Sequence, residues 1–461
     1  MTDAKGGPAG RPPTGPVGMS LFQLSYPLFL QSMVTLAVMV LDAMIWSAHS
    51  PQTVAALGVA APILRIAFEL SSVLGIGAVI RIAQHLGRGE AAAAREVAGV
   101  ACAANAVLGC GIGAGLALAG PLAIGAMELD PGVAADAALY LRLGGAAMAF
   151  QGFGAAAIAC LRGFGESRLV LGLGLFGAAL YLGLEYLLVL GAGPIPALGA
   201  AGAGLGNLVL RIVVAAVLVV VTLRRLGLRL SLARAWAQLG LVRRLAGLAL
   251  PSVSDYVAYA AYQIVLIGVI AAQGTTAVLS RTYVMIALSF LTLVIMAICQ
   301  GTEVLIGYRL GAGARGAAHR QGLRSAGIAS ALSTACAVAL WLAAGPFIAL
   351  FNADPAVLEQ CRRLLWLTIF LQPCFSFNVI LFHALRAVED VRWPVVVSQS
   401  LTWGLGLPLA WALCGPLGLG IEGVWWAFIV EEGAKALAML WRWNGASLRA
   451  AQASGAQASG A

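Results

Sequence analysis

Charged residues are scarce in this chain. They make up 10% of its 461 residues, whereas hydrophobic residues make up 61%. A soluble domain of this length has about 25% charged residues, so the composition excludes an ordinary soluble protein and indicates a membrane protein. The apolar runs are also too long for membrane β-barrel strands, which have roughly ten alternating residues.

Motifs for catalysis and metal binding are also missing. The eight cysteines form no C-x-x-C pair and the four histidines are dispersed, so the sequence predicts neither a disulfide framework nor a metal site. The stretch "GLGLFG" at 172–177 matches a dinucleotide-binding pattern, but it lies inside an apolar run, where no strand precedes it. We therefore expect no enzyme activity and no cofactor.

Long apolar runs are what the chain has instead. A helix needs about 20 apolar residues to cross the hydrocarbon core, and about a dozen runs of that kind can be placed. They lie near 20–46, 53–80, 92–122, 134–161, 169–192, 197–223, 245–272, 276–308, 321–350, 357–385, 393–414 and 421–441. The predicted fold class is an all-α polytopic membrane protein with twelve transmembrane helices.

Arginines concentrate in every second loop. Six lie in the linker 224–244, and others follow the second, fourth, eighth and tenth spans, whereas alternate loops such as "HSPQT" and "AAQGTTA" carry no Lys or Arg. This is the positive-inside pattern, so the net charge of +9 indicates topology rather than nucleic-acid binding. It predicts a multi-pass protein of the plasma (inner) membrane with both termini in the cytoplasm.

The second half of the sequence repeats the first. Pro27 in "LSYPLFLQSM" matches Pro251 in "LALPSVSDYV", 224 positions later. The same offset relates "QHLGRGEAAA" to "YRLGAGARGA" and "CLRGFGESR" to "ALRAVEDVR", and an offset of 221 relates "ALGAAGAG" to "GLGIEGVW". Six spans per half is an even number, so the two repeats have the same orientation. Such parallel repeats occur in secondary transporters, whose substrate site lies between the halves.

This repeat divides the chain into five segments. We expect a disordered cytoplasmic tail at 1–19, an N-lobe at 20–223, a basic cytoplasmic linker at 224–244, a C-lobe at 245–442 and a disordered tail at 443–461.

Two acidic residues interrupt apolar spans of the N-lobe. Asp42 is late in the first span and Glu185 is in the fifth; at 1.5 Å per residue both lie about 24–27 Å from the cytoplasmic start of their helices. Acids within the membrane are by default candidates for a functional site. Two carboxylates in one poorly hydrated place cannot both ionise cheaply, so the pair predicts a proton site or, with further oxygen ligands, a sodium site. The repeat places Leu266 and Leu409 at the equivalent C-lobe positions, so the shared scaffold does not require the acids.

The C-lobe has a polar stripe of its own. Ser252, Asp255, Tyr259 and Tyr262 fall on one face of the seventh span, with Gln263 beside them. An anion between aromatic rings suits a lipophilic cation. The alternative is that the stripe serves helix packing alone. Further candidates for the substrate site are Glu303 and Gln300 in the eighth span, where Glu303 either lines the cleft or caps the cytoplasmic end of its helix. Glu431 and Glu432 are expected to pair locally with Lys435 near the interface.

These landmarks together resemble the multidrug and toxic compound extrusion (MATE) family, within the wider multidrug/oligosaccharide/polysaccharide flippase superfamily. The resemblance covers roughly residues 20–442 and implies two V-shaped six-helix lobes that export amphiphilic organic cations against inward flow of protons or sodium. It also implies a cation site at Asp42 and Glu185. Tyr181 occupies the place of the asparagine that the family has four residues before the second acid, and Asn207 matches the polar residue early in the sixth span. Pro27 is a candidate hinge of the first helix, because proline removes a backbone hydrogen bond.

Several alternatives stay open at this point. The coupling ion is H⁺ or Na⁺, the latter at the Asp42 and Glu185 site. The main alternative function is a flippase for a lipid-linked saccharide or another lipid of the same superfamily, which would need intramembrane cations to hold a pyrophosphate. We expect small amphiphilic substrates, a lipid bilayer as surroundings and a monomeric protein.

Overall fold

The computed structural model describes residues 18–191, 194–228, 230–349 and 354–458, with side chains up to residue 445. Arg229, most of the N-terminal tail and the last three residues of the C-terminal tail lie outside these ranges.

The first half contains six spans built from seven helices. They are α1 (Leu21–His49), α2 (Pro51–Leu70), α3 (Val73–Gly87), α4 (Ala91–Gly125), α5 (Pro131–Gly163), α6 (Ser167–Val189) and α7 (Gly199–Arg225). The second predicted span consists of α2 and α3, because the helix is interrupted at Ser71 and Ser72, whose hydroxyls donate back to the carbonyls of Phe68 and Glu69.

The second half follows a short linker helix, α8 (Leu232–Ala237). Its helices are α9 (Leu239–Ala271), α10 (Thr275–Gly311), α11 (Arg315–Leu342), α12 (Ala344–Ala349), α13 (Pro355–Ala387), α14 (Arg392–Leu401), α15 (Leu407–Cys414) and α16 (Gly420–Ala458). A π-helical turn, Thr402–Gly406, joins α14 to α15 within the eleventh span. Helix α16 continues beyond residue 442, at which the sequence analysis ends the C-lobe.

All twelve predicted spans are therefore helical. Within the described residues, ten are long and apolar enough to cross a membrane. The other two are the eleventh span, which the π turn interrupts, and the twelfth, which carries Glu431, Glu432 and Lys435. The fold is an all-α membrane protein of two parallel six-span repeats, as predicted.

The repeat also holds for details of the backbone. Asp130 caps α5 and Asp354 caps α13, 224 positions later, and each accepts a 2.9 Å hydrogen bond from the backbone N–H two residues on. Such caps satisfy donors that a helix start leaves free. Gly89 and Gly313 have the same spacing, and both take a positive φ, 79° and 75°.

Small residues allow close helix packing inside the N-lobe. Gly109 and Gly113 of α4 lie against the backbone of α5 at Gly152 and Gly145, where a Cβ atom would collide with a carbonyl oxygen. The glycines of "GCGIGAG" therefore allow the third and fourth spans to pack closely.

The two halves meet at one end of the molecule, where α1 begins and α3 and α10 end. Leu24, Val79, Val304 and Tyr308 belong to a buried cluster that both halves share there. Towards the other end of α1, every residue from Phe29 to His49 is at least partly exposed. The halves therefore join at this one end, which we call the closed end.

Candidate functional site

The Glu185 carboxylate lies at the centre of the polar group in the N-lobe. This carboxylate is fully buried, and the rest of its helix, α6, is largely apolar. Its Oε1 atom accepts a hydrogen bond of 3.0 Å from the indole N–H of Trp46 and one of 2.9 Å from the Tyr181 hydroxyl. Tyr181 and Glu185 are four residues apart, so they share one face of α6.

Asp42 of α1 lies beside this group. Its carboxyl interacts with both the Glu185 carboxyl and the Tyr181 hydroxyl. One oxygen of each acid, Oδ1 of Asp42 and Oε2 of Glu185, is buried and receives no hydrogen bond. A buried acceptor without a donor is unfavourable. These two oxygens can therefore bind a proton or another cation.

A basic residue that the sequence analysis did not select completes the N-lobe group. Arg211 of α7 lies near Tyr181 and Tyr140, and its Nε donates to the Asn207 side chain at 3.2 Å. Its guanidinium also covers the ring of Phe68, 4.6 Å from the centroid. The sequence signal was an arginine inside the sixth span, one turn after Asn207.

Pro27 lies far from this group. It is buried within α1 next to Leu24 and Leu28, close to the closed end and fifteen residues before Asp42. Its position in an unbroken helix is compatible with a hinge, but the hinge stays a prediction.

The predicted residues of the seventh span belong to α9 and have different surroundings. Asp255 accepts a 2.6 Å hydrogen bond from Gln399 of α14. Tyr259 is 39% exposed, and its hydroxyl accepts from Gln263, whose own carbonyl accepts from Arg281 at 3.0 Å. The Tyr259 ring is thus the most accessible part of this set.

Tyr262 points instead into a buried charge cluster. Its hydroxyl donates to Glu431 at 3.1 Å, and it is fully buried. Lys435 lies between two carboxylates, 2.5 Å from Glu431 and 3.0 Å from Glu432. The predicted local ion pair is present, and it is buried inside the C-lobe.

Every carboxylate oxygen of this cluster has a donor. Thr402, from the π turn, donates to Glu431 at 2.8 Å, and Asn378 of α13 donates to Glu432 at 2.8 Å. The arrangement contrasts with Asp42 and Glu185, each of which has an oxygen without a donor.

Glu303 and Gln300 lie near the closed end. Arg386 binds both oxygens of Glu303, at 2.9 and 2.7 Å, and His383 lies 3.5 Å from the same carboxylate. Gln300 accepts a hydrogen bond from Arg162 of the other half. Both predicted residues are therefore engaged by arginines in this structure.

Two hydrogen bonds across the closed end mirror each other. Gln84 donates to the backbone carbonyl of Ala387 at 3.2 Å, and Tyr308 donates to the carbonyl of Gly163 at 2.8 Å. The two donors are 224 positions apart, and so are the two acceptors. The halves are thus joined by equivalent contacts about a pseudo-two-fold axis.

Comparisons with known proteins agree with this architecture. The MatE family model matches residues 27–187 and 251–412, one match in each half. An uncharacterized transporter, YisQ of Bacillus subtilis, is 28% identical over 92% of this chain and 94% of its own. The multidrug resistance protein PmpM of Pseudomonas aeruginosa is 26% identical over 85% of this chain and 83% of its own.

The fold is also found among solved structures. One, described as the outward-facing conformation of a multidrug resistance MATE family transporter of the MOP superfamily, has a TM-score of 0.83. The likeness covers 94% of this chain and 96% of that chain at 18% identity.

Proposed function

Because this chain belongs to the MatE family, we propose that it is a secondary antiporter that exports amphiphilic or cationic organic compounds in exchange for inward H⁺ or Na⁺. The observation that carries this proposal is the N-lobe pair, in which Asp42 and Glu185 each have one buried oxygen without a donor. An ion that binds and leaves there would make the N-lobe charge vary through a transport cycle.

The contacts of Glu185 favour a proton over sodium. Trp46 and Tyr181 donate an N–H and an O–H to Oε1, so Oδ1 of Asp42 and Oε2 of Glu185 are the oxygens of the pair that are buried without a donor. A sodium site needs more oxygen ligands than these two, and the Asn207 carbonyl oxygen already accepts a hydrogen bond from Arg211. We therefore assign the site to a proton shared by the two acids.

Substrate would leave from between the halves at the end opposite the closed end, because the closed end is the cytoplasmic one in the topology that the arginines predict. The exposed Tyr259 ring and the half-buried Asp255 offer an aromatic face and a negative charge to an organic cation. Export then requires the contacts at the closed end to separate while the other end closes, so that the same site faces each side in turn. In this scheme the lobes are 20–223 and 245–442, the molecule acts as a monomer, and both termini lie in the cytoplasm.

Dye uptake into inverted vesicles, which corresponds to efflux from the cell, tests this function under an imposed proton or sodium gradient. We expect proton-driven efflux in the native protein, and its loss in Asp42→Asn and Glu185→Gln. Glu128→Gln is the matched control, because Glu128 is exposed in the loop between α4 and α5. Normal proton-driven efflux by both site variants would refute the coupling site, and efflux driven only by sodium would refute the proton assignment.

A further inference from the structure

The linker between the two halves is docked on the N-lobe. Leu226 and Leu228 are buried in the core of that lobe, and Ala235 of α8 is buried against Val100 and Ala103 of α4. The linker is therefore a fixed element at the surface of the helix bundle.

The other side of the linker helix is apolar and uncovered. Leu232, Trp236 and Leu239 are 55%, 63% and 44% exposed. Leu232 and Trp236 are four residues apart and share one face of α8, and Leu239 begins α9 two residues after α8 ends. Tryptophan is enriched where membrane proteins meet the bilayer interface, and the spans α7 and α9 on either side of α8 bring this face to that depth.

The linker also carries a strong charge of one sign. Residues 224–244 contain six arginines and no acidic residue. The five that the structure describes are exposed, and none of them takes part in an ion pair among the described residues. These are Arg224, Arg225, Arg234, Arg243 and Arg244.

Beside the contact of α8 with α4, a cavity of about 440 Å³ lies between the linker and α4. Arg95 of α4 and Arg234 of α8 line it, together with Ser231 and Glu96. The Glu96 carboxylate accepts a hydrogen bond from Gln238 and keeps its negative charge, so the two arginines give the cavity lining a net positive charge.

We propose that this cavity binds the phosphate of an anionic phospholipid, while the face of Leu232, Trp236 and Leu239 inserts among the adjoining lipids. Guanidinium groups match phosphate oxygens in charge and geometry, and basic segments next to spans attract anionic lipids. The uncovered apolar face selects a lipid over a soluble phosphate, because only a lipid brings acyl chains to it. This inference does not depend on the transported compound or the coupling ion.

Lipid retention and thermal unfolding of the purified full chain in detergent test the proposal. We expect phosphatidylglycerol to bind and raise the unfolding midpoint, and phosphatidylcholine to do neither at the same concentration. Arg95→Gln with Arg234→Gln should weaken phosphatidylglycerol binding about 25-fold, since each arginine near an anionic surface contributes roughly a factor of five. The matched control is Arg320→Gln, an exposed arginine on α11 of the other half, which should bind like the native protein.

Three results would overturn the proposal. They are equal binding of the two lipids, unchanged phosphatidylglycerol binding in the double variant, and stabilisation by inorganic phosphate as large as that by phosphatidylglycerol. Both replaced side chains are exposed, so the fold should persist, and the two single variants repeat the test if the double variant is not monodisperse. Neither measurement uses transport, so a failure here is distinct from a failure of the proposed antiport.

Discussion

Glu389 and Arg81 form an ion pair of 2.9 Å that joins the two halves at the closed end. Among the described residues, Glu389 is the non-glycine residue with a positive φ, 67°, and its repeat equivalent 224 positions earlier is Gly165, at 82°. A residue with a Cβ atom is strained in that region by about 1–2 kcal/mol. The two repeats therefore share one backbone conformation at this position. The N-lobe has a glycine there, and the C-lobe has a glutamate that forms an ion pair with the N-lobe.

Two variants of Glu389 separate this strain from the ion pair. Glu389→Gln loses the charge and keeps the strain, whereas Glu389→Gly loses both. We expect the glycine variant to be more stable than the glutamine variant by about 1 kcal/mol, as measured from the midpoints of thermal unfolding. The opposite order would mean that the backbone at residue 389 is not strained.

Removing one of the mirrored hydrogen bonds should loosen the closed end. Tyr308→Phe deletes the donor to Gly163 and leaves a buried carbonyl without a partner, at a cost of about 1–3 kcal/mol. We expect faster hydrogen–deuterium exchange in peptides covering the end of α3. Tyr186→Phe is the control, because this tyrosine is exposed on α6, and equal exchange in the two variants would contradict the prediction.

The hydroxyl of Tyr181 should set the pH range of coupling. Tyr181→Phe removes a donor to the Glu185 carboxylate, and a hydrogen bond to a charged group contributes about 1.5–3 kcal/mol. We therefore expect the pH profile of efflux to differ from that of the native protein. The measurement is proton-driven dye efflux as a function of pH, with Tyr186→Phe as the control on the same helix. A profile identical to that of the native protein would remove Tyr181 from the site.

Lys435 should be essential for the stability of the C-lobe. Lys435→Met leaves Glu431 and Glu432 buried without their cation, and breaking a buried pair in this way costs about 3–5 kcal/mol. Adding Glu432→Gln to this variant removes one of the two charges and should restore part of the loss. Thermal unfolding of the single and double variants checks this, and a double variant less stable than Lys435→Met alone would contradict it.

The sequence predicts the spans and the repeat well because both depend on composition and spacing. Hydrophobic length alone places twelve spans, and a constant offset aligns Asp130 with Asp354 without any contact being known. The proximity of Asp42 and Glu185 follows from their equal depth, provided that their helices are neighbours.

Partners of individual side chains were harder to predict. The indole of Trp46 donates to Glu185, which lies 139 positions later in the sequence. Arg386 donates to Glu303, which lies 83 positions earlier. Such contacts depend on the rotation of each helix about its axis, and the long apolar spans fix this rotation poorly because most of their faces are hydrophobic. The π turn at Thr402–Gly406 was not predicted, because its two glycines and the following Pro408 weaken a regular helix without specifying a π turn.

The mirrored bonds from Gln84 to Ala387 and from Tyr308 to Gly163 have the form of an isologous interface, in which each partner gives the contact that it receives. A six-span polypeptide with these donors and acceptors would make both bonds at once on pairing with a second copy of itself. Fusion of the copies into one chain holds that pairing at any protein concentration. It also frees each copy to change separately, so that the N-lobe carries two acids with unpaired oxygens and the C-lobe carries two acids with Lys435 as an internal counter-ion.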